Sequence, residues 1–144
     1  MGAGPAAVGG EEEAASEESL KILLIDDTPE IAELLSFALR DRGYDVSVSG
    51  YDTSINDLVV QDQADAVVLD CTIFNMSESL FDAVRDEARH AELPVVIISD
   101  TPEVAVASLR ARQARHVRIV PKPFSGSQVV AALDELLGKS TVDS

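Results

Sequence analysis

Tryptophan is absent from this 144-residue chain, and aromatic residues make up only 4% of it. The interior must therefore be built from Val, Ile, Leu and Ala, a mix that suits a parallel sheet covered by helices. There is one cysteine, Cys71, so no internal disulfide can form. With two histidines it cannot complete a zinc site from nitrogen and sulfur ligands alone. A reducing cytoplasm is the expected compartment. Bases are scarce too, 11 Lys and Arg against 26 Asp and Glu, for a net charge of −15. Such a chain repels polyanions, so binding to nucleic acid or to an anionic membrane is not expected. No apolar run approaches the ~18 residues of a membrane span, and glutamates stand where a signal peptide would carry bases.

What is present begins at Leu20. Residues 1–19 hold five glutamates, no base and, apart from Met1 and Val8, no sizeable apolar side chain. A segment of this kind cannot bury enough surface to order itself, so it is expected to be a disordered acidic tail. Residues 20–138 are expected to form one domain, and residues 139–144 a short polar tail. Within the domain, short apolar runs alternate with helical patterns, the sequence form of repeated βαβ units. LKILLI runs into Asp26-Asp27. Thr28 reads as an N-cap with Pro29 at the first helical position, followed by Ile31, Leu34, Leu35, Ala38 and Leu39 on one face, with Gly43 closing the helix. A second strand is expected over residues 44–48, and a helix opened by Asp52 or Thr53 and carrying Ile55, Leu58 and Val59. A third strand, residues 66–69, ends at Asp70. A polar loop with Asn75, Met76 and Ser77 is expected before a helix over about Ser79 to His90. The fourth strand, residues 95–98, ends at Ser99, and Thr101-Pro102-Glu103 repeats the cap signal. The fifth, residues 117–120, is stopped by Pro121-Lys122-Pro123, and Ser125 with Gln128 forms a capping box for the last helix. Five strands and five helices with right-handed crossovers make a three-layer α/β sandwich, whose ligands bind beyond the carboxyl ends of the strands.

The polar residues that interrupt these strands fall at those carboxyl ends: Asp26 and Asp27, Asp70, Ser99 and Lys122. Taken singly, each reads as a solvated loop residue. Taken together, they should meet in one crevice. Three carboxylates packed together repel one another and need a cation, and an all-oxygen site that keeps waters suits Mg²⁺. With Mg²⁺ and Lys122 present, the crevice can hold a phosphoryl group beside one of its own carboxylates, a competent nucleophile for phosphoryl transfer. The Ser99 hydroxyl can donate to phosphoryl oxygens.

Through the motifs KILLIDD, VVLD, VVIIS and PKPF, the chain resembles the receiver domain of bacterial two-component response regulators over roughly residues 20–138. The resemblance implies a flavodoxin-like fold, a doubly wound five-stranded parallel sheet in the order 2-1-3-4-5. It implies that Asp26 and Asp27 are the acidic pair of the Mg²⁺ site, that the backbone carbonyl of Thr72 completes the protein ligands, and that Asp70 is the phosphoacceptor. It also implies that Ser99 and Lys122 attend the phosphoryl group, with Pro123 after a cis peptide. A histidine kinase or phosphotransfer protein would be the donor, and a downstream protein the receiver of the signal. Because only residues 139–144 follow the last helix, a stand-alone receiver is expected.

The sequence also departs from that pattern. Phe74 and Glu78 stand where Pro and Gly are usual, Asp100 follows the hydroxyl where a small residue is usual, and Ile119 replaces a Tyr or Phe. A degenerate receiver working as a scaffold without phosphorylation is the alternative. A flavodoxin-type protein needs a phosphate loop after the first strand, where Asp26-Asp27 would repel the flavin's phosphate, and a dehalogenase-type phosphohydrolase spaces its first acids two apart. Arg110, Arg112, Arg115 and Arg118 cluster beside Ile119 at the end of helix four and in strand five. They either complement the helix C-terminus or form a docking face for an acidic partner or for the chain's own glutamate-rich tail.

Overall fold

The computed structural model describes residues 19–50, 54–71 and 74–138. The tails proper, the expected helix openers Asp52 and Thr53, and Thr72 lie outside them. Among the described residues, five strands, β1 (Lys21–Asp26), β2 (Asp45–Ser49), β3 (Ala66–Asp70), β4 (Val95–Ser99) and β5 (Val117–Pro121), alternate with five helices. The helices are α1 (Pro29–Asp41), α2 (Ile55–Asp62), α3 (Phe74–Asp86), α4 (Pro102–Ala111) and α5 (Gly126–Leu136), with a 3₁₀ turn at Ala88–His90. All strand pairs are parallel, in the order β2-β1-β3-β4-β5. That is the order 2-1-3-4-5.

The period-two alternation of strand side chains divides the interior into two cores. Ile22 and Leu24 of β1, Val68 of β3, and Val96 and Ile98 of β4 pack with Leu35 and Leu39 of α1 and Val129 and Leu133 of α5. Leu23, Ile25, Val67, Leu69, Val95 and Ile97 point the other way, onto α2, α3 and α4 through Ile55, Val59, Leu80, Phe81, Val84 and Leu109. Burial on both faces is why the three central strands read as unbroken apolar runs. The expected capping box is present: Gln128 N–H donates to Ser125 Oγ at 3.3 Å and Ser125 N–H to Gln128 Oε1 at 2.7 Å. It opens α5 where Gly126 lies against α1, a Cβ there falling 2.6 Å from the Ala38 Cβ.

Three expectations need correction. Asn75, Met76 and Ser77 are not a loop: α3 starts at Phe74 and ends at Asp86, and the 3₁₀ turn carries the chain to His90. Met76, Leu80 and Val84 are spaced by four onto the core face, and Ser77 is fully buried, so packing overrides the loop-like composition. Leu34 does not face inward but is 53% exposed. The buried stripe of α1 is Ala32, Leu35, Ser36 and Leu39, and Leu34 lies a full 100° of helical turn away from Leu35. Finally, α2 begins at Ile55, with Ser54 at the N-cap position.

Candidate active site

The strands end together along one edge of the sheet, and each ends on a polar residue or runs directly into one. Asp26 and Asp70 are the last residues of β1 and β3 and are register partners. Ser99 is the last residue of β4, paired with Pro121, and Lys122 follows β5, its N–H donating to the Ser99 carbonyl at 2.8 Å. The Lys122–Pro123 peptide is cis. These positions follow from the winding: apolar side chains hold each strand in the core until the edge is reached, and the first polar side chain emerges there.

Asp70 is 3% exposed, and its Oδ1 receives the Lys122 ammonium at 3.1 Å. Asp26 is buried as well; its Oδ1 accepts the Thr28 N–H at 2.8 Å while Oδ2 is a buried oxygen without a hydrogen-bond partner among the described residues. Burial pushes the Asp26 carboxyl up from 3.8 to about 7; the Thr28 N–H opposes the rise, and the charges of Asp70 and Asp27 add to it. Asp27 is exposed, with Thr28 Oγ1 3.4 Å from its Oδ1. The Ser99 hydroxyl accepts the Thr101 N–H at 3.0 Å and lies 3.3 Å from Thr101 Oγ1. Asp26 and Ser99 thus do the same local job. Each takes the N–H of the N-cap residue two positions on, Thr28 or Thr101, neither of which caps its helix through its own side chain.

The structure brings Asp26, Asp70, Ser99 and Lys122, expected from the sequence to meet, to this edge. Sequence reasoning missed the buried Cys71 thiol beside Asp70, pushed up by desolvation and by the neighbouring carboxylates, with the nearby Ser77 hydroxyl opposing the rise. A thiol held protonated in this way is not a nucleophile. Reading the strand end as alternating inward and outward residues would have found it. Ile119 is partly buried against the core beneath α2, α3 and α4. The arginines do not form one free cluster. Arg112 makes a two-pronged ion pair with Asp82, at 2.8 and 3.0 Å, and another with Glu78 at 3.0 Å; Arg118 pairs with Glu135 at 2.9 Å.

Among the described residues no three His, Cys, Asp or Glu side chains are placed to enclose a metal by themselves. The donor set nevertheless fits a hard cation that keeps most of its waters: two buried carboxylates side by side, one with an unpartnered oxygen, and an exposed third at Asp27.

Comparison with known proteins places this edge in a family. The response regulator receiver domain profile matches residues 22–134. The "Probable transcriptional regulatory protein TcrX" of Mycobacterium tuberculosis is 34% identical over 136 residues, which cover 90% of this chain and 56% of that protein. The response regulator MprA of Mycolicibacterium vanbaalenii is 29% identical over 86% of this chain and 53% of its own length. The chain thus spans about half the length of the curated relatives it matches. Among solved structures, a sensor protein from Polaromonas sp. JS666 superposes with a TM-score of 0.73 at 21% identity, over 83% of this chain and 96% of that one. The receiver domain of the sensor histidine kinase PA1611 from Pseudomonas aeruginosa, solved with magnesium in its active-site cleft, gives 0.64 at 20% identity, over 84% and 99%. The chain belongs to the response regulator receiver domain family, a family of signalling domains.

Proposed function

We propose that this receiver domain takes a phosphoryl group onto the carboxylate of Asp70, from a histidine kinase or a phosphotransfer protein, and signals through protein contacts. The observation that carries the reading is the buried Asp70 carboxylate, register-paired with Asp26 and touched by the Lys122 ammonium at 3.1 Å. In the transfer, an Asp70 oxygen bonds to phosphorus while the bond from phosphorus to the donor breaks, leaving an acyl phosphate and the departing donor group. Lys122 follows the charge that spreads over the phosphoryl oxygens, and Ser99 turns its hydroxyl hydrogen to one of them.

Asp26, Asp27 and Asp70, with the Thr72 carbonyl, would hold Mg²⁺. Bound there, the ion neutralises the carboxylates and the incoming phosphoryl oxygens. The Asp26 oxygen without a partner and the raised carboxyl are what support this. A cytoplasmic location accords with a phosphodonor of this kind. The output contact is assigned to the α4–β5 face around Ile119, with Arg110 and Arg115 as its contacting bases, since Arg112 and Arg118 are engaged within the chain.

The test is incubation of the protein with Mg²⁺ and acetyl phosphate, read by intact mass. A gain of one phosphoryl group that disappears in Asp70→Ala and in the presence of EDTA is expected. No gain in the wild type would leave a scaffold that works without phosphorylation.

A further inference from the structure

We propose that the glutamate-rich stretch Glu11–Glu18 docks, within its own chain, on a basic corner formed by the end of α3 and the α4–β5 loop. The docking does not depend on phosphorylation of Asp70. Charge is segregated along the sequence: residues 104–133 carry five bases and no acid, whereas residues 1–19 carry five acids and no base. In a chain of net charge −15, the first of these stretches is the natural counterpart of the second.

The corner is concave. A cavity of about 290 Å³ is lined by Phe81, Asp82, Arg85, Arg112, Gln113 and Arg115, among others. Three guanidinium groups line it; Arg112 is neutralised by Asp82 and Glu78, which leaves Arg85 and Arg115. Arg85 is fixed in place by backbone carbonyls: it donates to His90 O at 3.1 Å, Arg115 O at 2.8 Å and His116 O at 3.1 Å, over the Phe81 ring at 4.8 Å. The loop is turned toward it by left-handed backbone at Gln113 (φ 52°) and His116 (φ 60°). Carbonyl groups orient the guanidinium without cancelling its charge, and Glu92 acts on it through space without forming an ion pair. Arg115 is exposed and, among the described residues, makes no ion pair. Arg85 and Arg115 therefore present positive charge that no ion pair among the described residues compensates, the chemistry that receives glutamate carboxylates.

Topology supplies the proximity. In a parallel sheet all strands start at one edge, so Lys21 at the start of β1 and Arg115 just before β5 share that edge. They are separated by the β1–β3, β3–β4 and β4–β5 spacings, about 14 Å in all. Glu13 lies eight residues before Lys21, a reach of up to about 26 Å when extended. Asp45 and Asp65, which engage Lys21 at the β1 side of this edge, repel the segment and direct it toward β5. A tethered segment also acts at high effective concentration, so weak charge pairing suffices. Docked there, the segment shields Arg115, one of the two bases assigned to the output contact, from an acidic partner.

The experiment compares amide spectra of the full-length protein with those of a variant combining Glu11→Gln, Glu12→Gln, Glu13→Gln, Glu17→Gln and Glu18→Gln. At low salt the amides of residues 112–118 should differ between the two. The difference should be independent of protein concentration and vanish at about 1 M salt, where the Debye length is about 3 Å. In Arg115→Glu the amides of residues 11–18 should move to their values at high salt. The proposal is overturned if residues 112–118 are unchanged by the five substitutions. It is equally overturned if the difference grows with protein concentration, which would assign the contact to a second copy of the chain.

Discussion

Asp26 and Asp70 face each other as the last rung of the β1–β3 ladder, and of the two it is Asp70 that holds the Lys122 ammonium. The pair divides one charge problem unequally. Asp70 has a cation within the chain; Asp26 has a backbone N–H and an oxygen left over. That leftover oxygen supports the second cation proposed for the site, and the raised carboxyl gives the site a pH signature.

The Asp26 carboxyl is raised from 3.8 to about 7, so without metal the folded state holds this proton more tightly than the unfolded chain does. The stability it contributes is fully present below about pH 4 and lost progressively as pH rises through 7. In EDTA, thermal stability should therefore fall between pH 5 and 8, and Asp26→Asn should flatten that fall and gain on the order of 1–3 kcal/mol at pH 8. Added Mg²⁺ should raise the melting temperature of the wild type at pH 8 and leave Asp26→Asn unmoved. Calorimetry across this pH range checks all three.

Removing the Lys122 ammonium leaves two buried carboxylates without a cation. Lys122→Gln should cost about 1–3 kcal/mol at pH 8 in EDTA and regain part of it with Mg²⁺. Under the same phosphodonor conditions its uptake of phosphate should slow by about tenfold or more. Denaturant midpoints and a time course by mass measure the two effects separately.

Packing at the start of α5 sets a sharper steric test. A methyl group at position 126 would sit 2.6 Å from the Ala38 Cβ, and neither atom has a rotamer to escape by. Gly126→Ala should destabilise by about 1–3 kcal/mol, and Ala38→Gly in the same chain should recover much of the loss. Urea unfolding of the double-mutant cycle checks it.

Asp134 of α5 is 1% exposed and is held by the Tyr44 hydroxyl and by Arg42 Nε at 3.0 Å. Burial and the Asp134 carboxylate push the Tyr44 hydroxyl above its ordinary range, so it stays a donor. Tyr44→Phe removes one of two partners from a buried charge and should cost about 1–3 kcal/mol, with the loss read from urea midpoints at pH 7.

Ile119 lies partly buried in the core where an aromatic side chain is usual, and a β-branched residue is stiff at χ1. Ser99 is meanwhile tied to the Thr101 N–H at 3.0 Å, so its turn toward a phosphoryl group is felt first in the turn that opens α4. Beryllofluoride, a phosphoryl mimic, should shift the amides of Asp70, Ser99 and their loops and leave most of α4 and β5 in place. Strong shifts throughout α4 and β5 would show full switching without a ring. Ile119→Tyr should enlarge the response.

The strands were legible because burial on both faces makes them uniformly apolar, and the site was legible because a polar residue must break each run where the sheet edge is reached. Thr28-Pro29 and Thr101-Pro102 marked the helix starts, although the capping oxygens come from Asp26 and Ser99, two residues upstream, a tertiary detail that cap rules do not contain. The start of α3 was hidden because Asn75 and Ser77 favour turns locally, while Met76 and the buried face they flank decide the helix. Leu34 misled for the opposite reason: its spacing suits a wide apolar stripe, but α1 buries only the narrower one through Leu35 and Leu39. The pairing of Arg112 with Glu78 and Asp82 joins residues 30 or more positions apart in sequence, beyond any local pattern.

Chemical trapping addresses the site itself. An acyl phosphate on an aspartate is reduced by borohydride to homoserine, which peptide mass spectrometry locates to a single residue. After treatment with Mg²⁺ and acetyl phosphate, homoserine should be found at position 70, accumulate more slowly in Lys122→Gln, and be absent in EDTA. Homoserine at position 26 or 27 instead, or at no position despite a mass gain, would contradict the assignment of Asp70 as the residue that accepts the phosphoryl group.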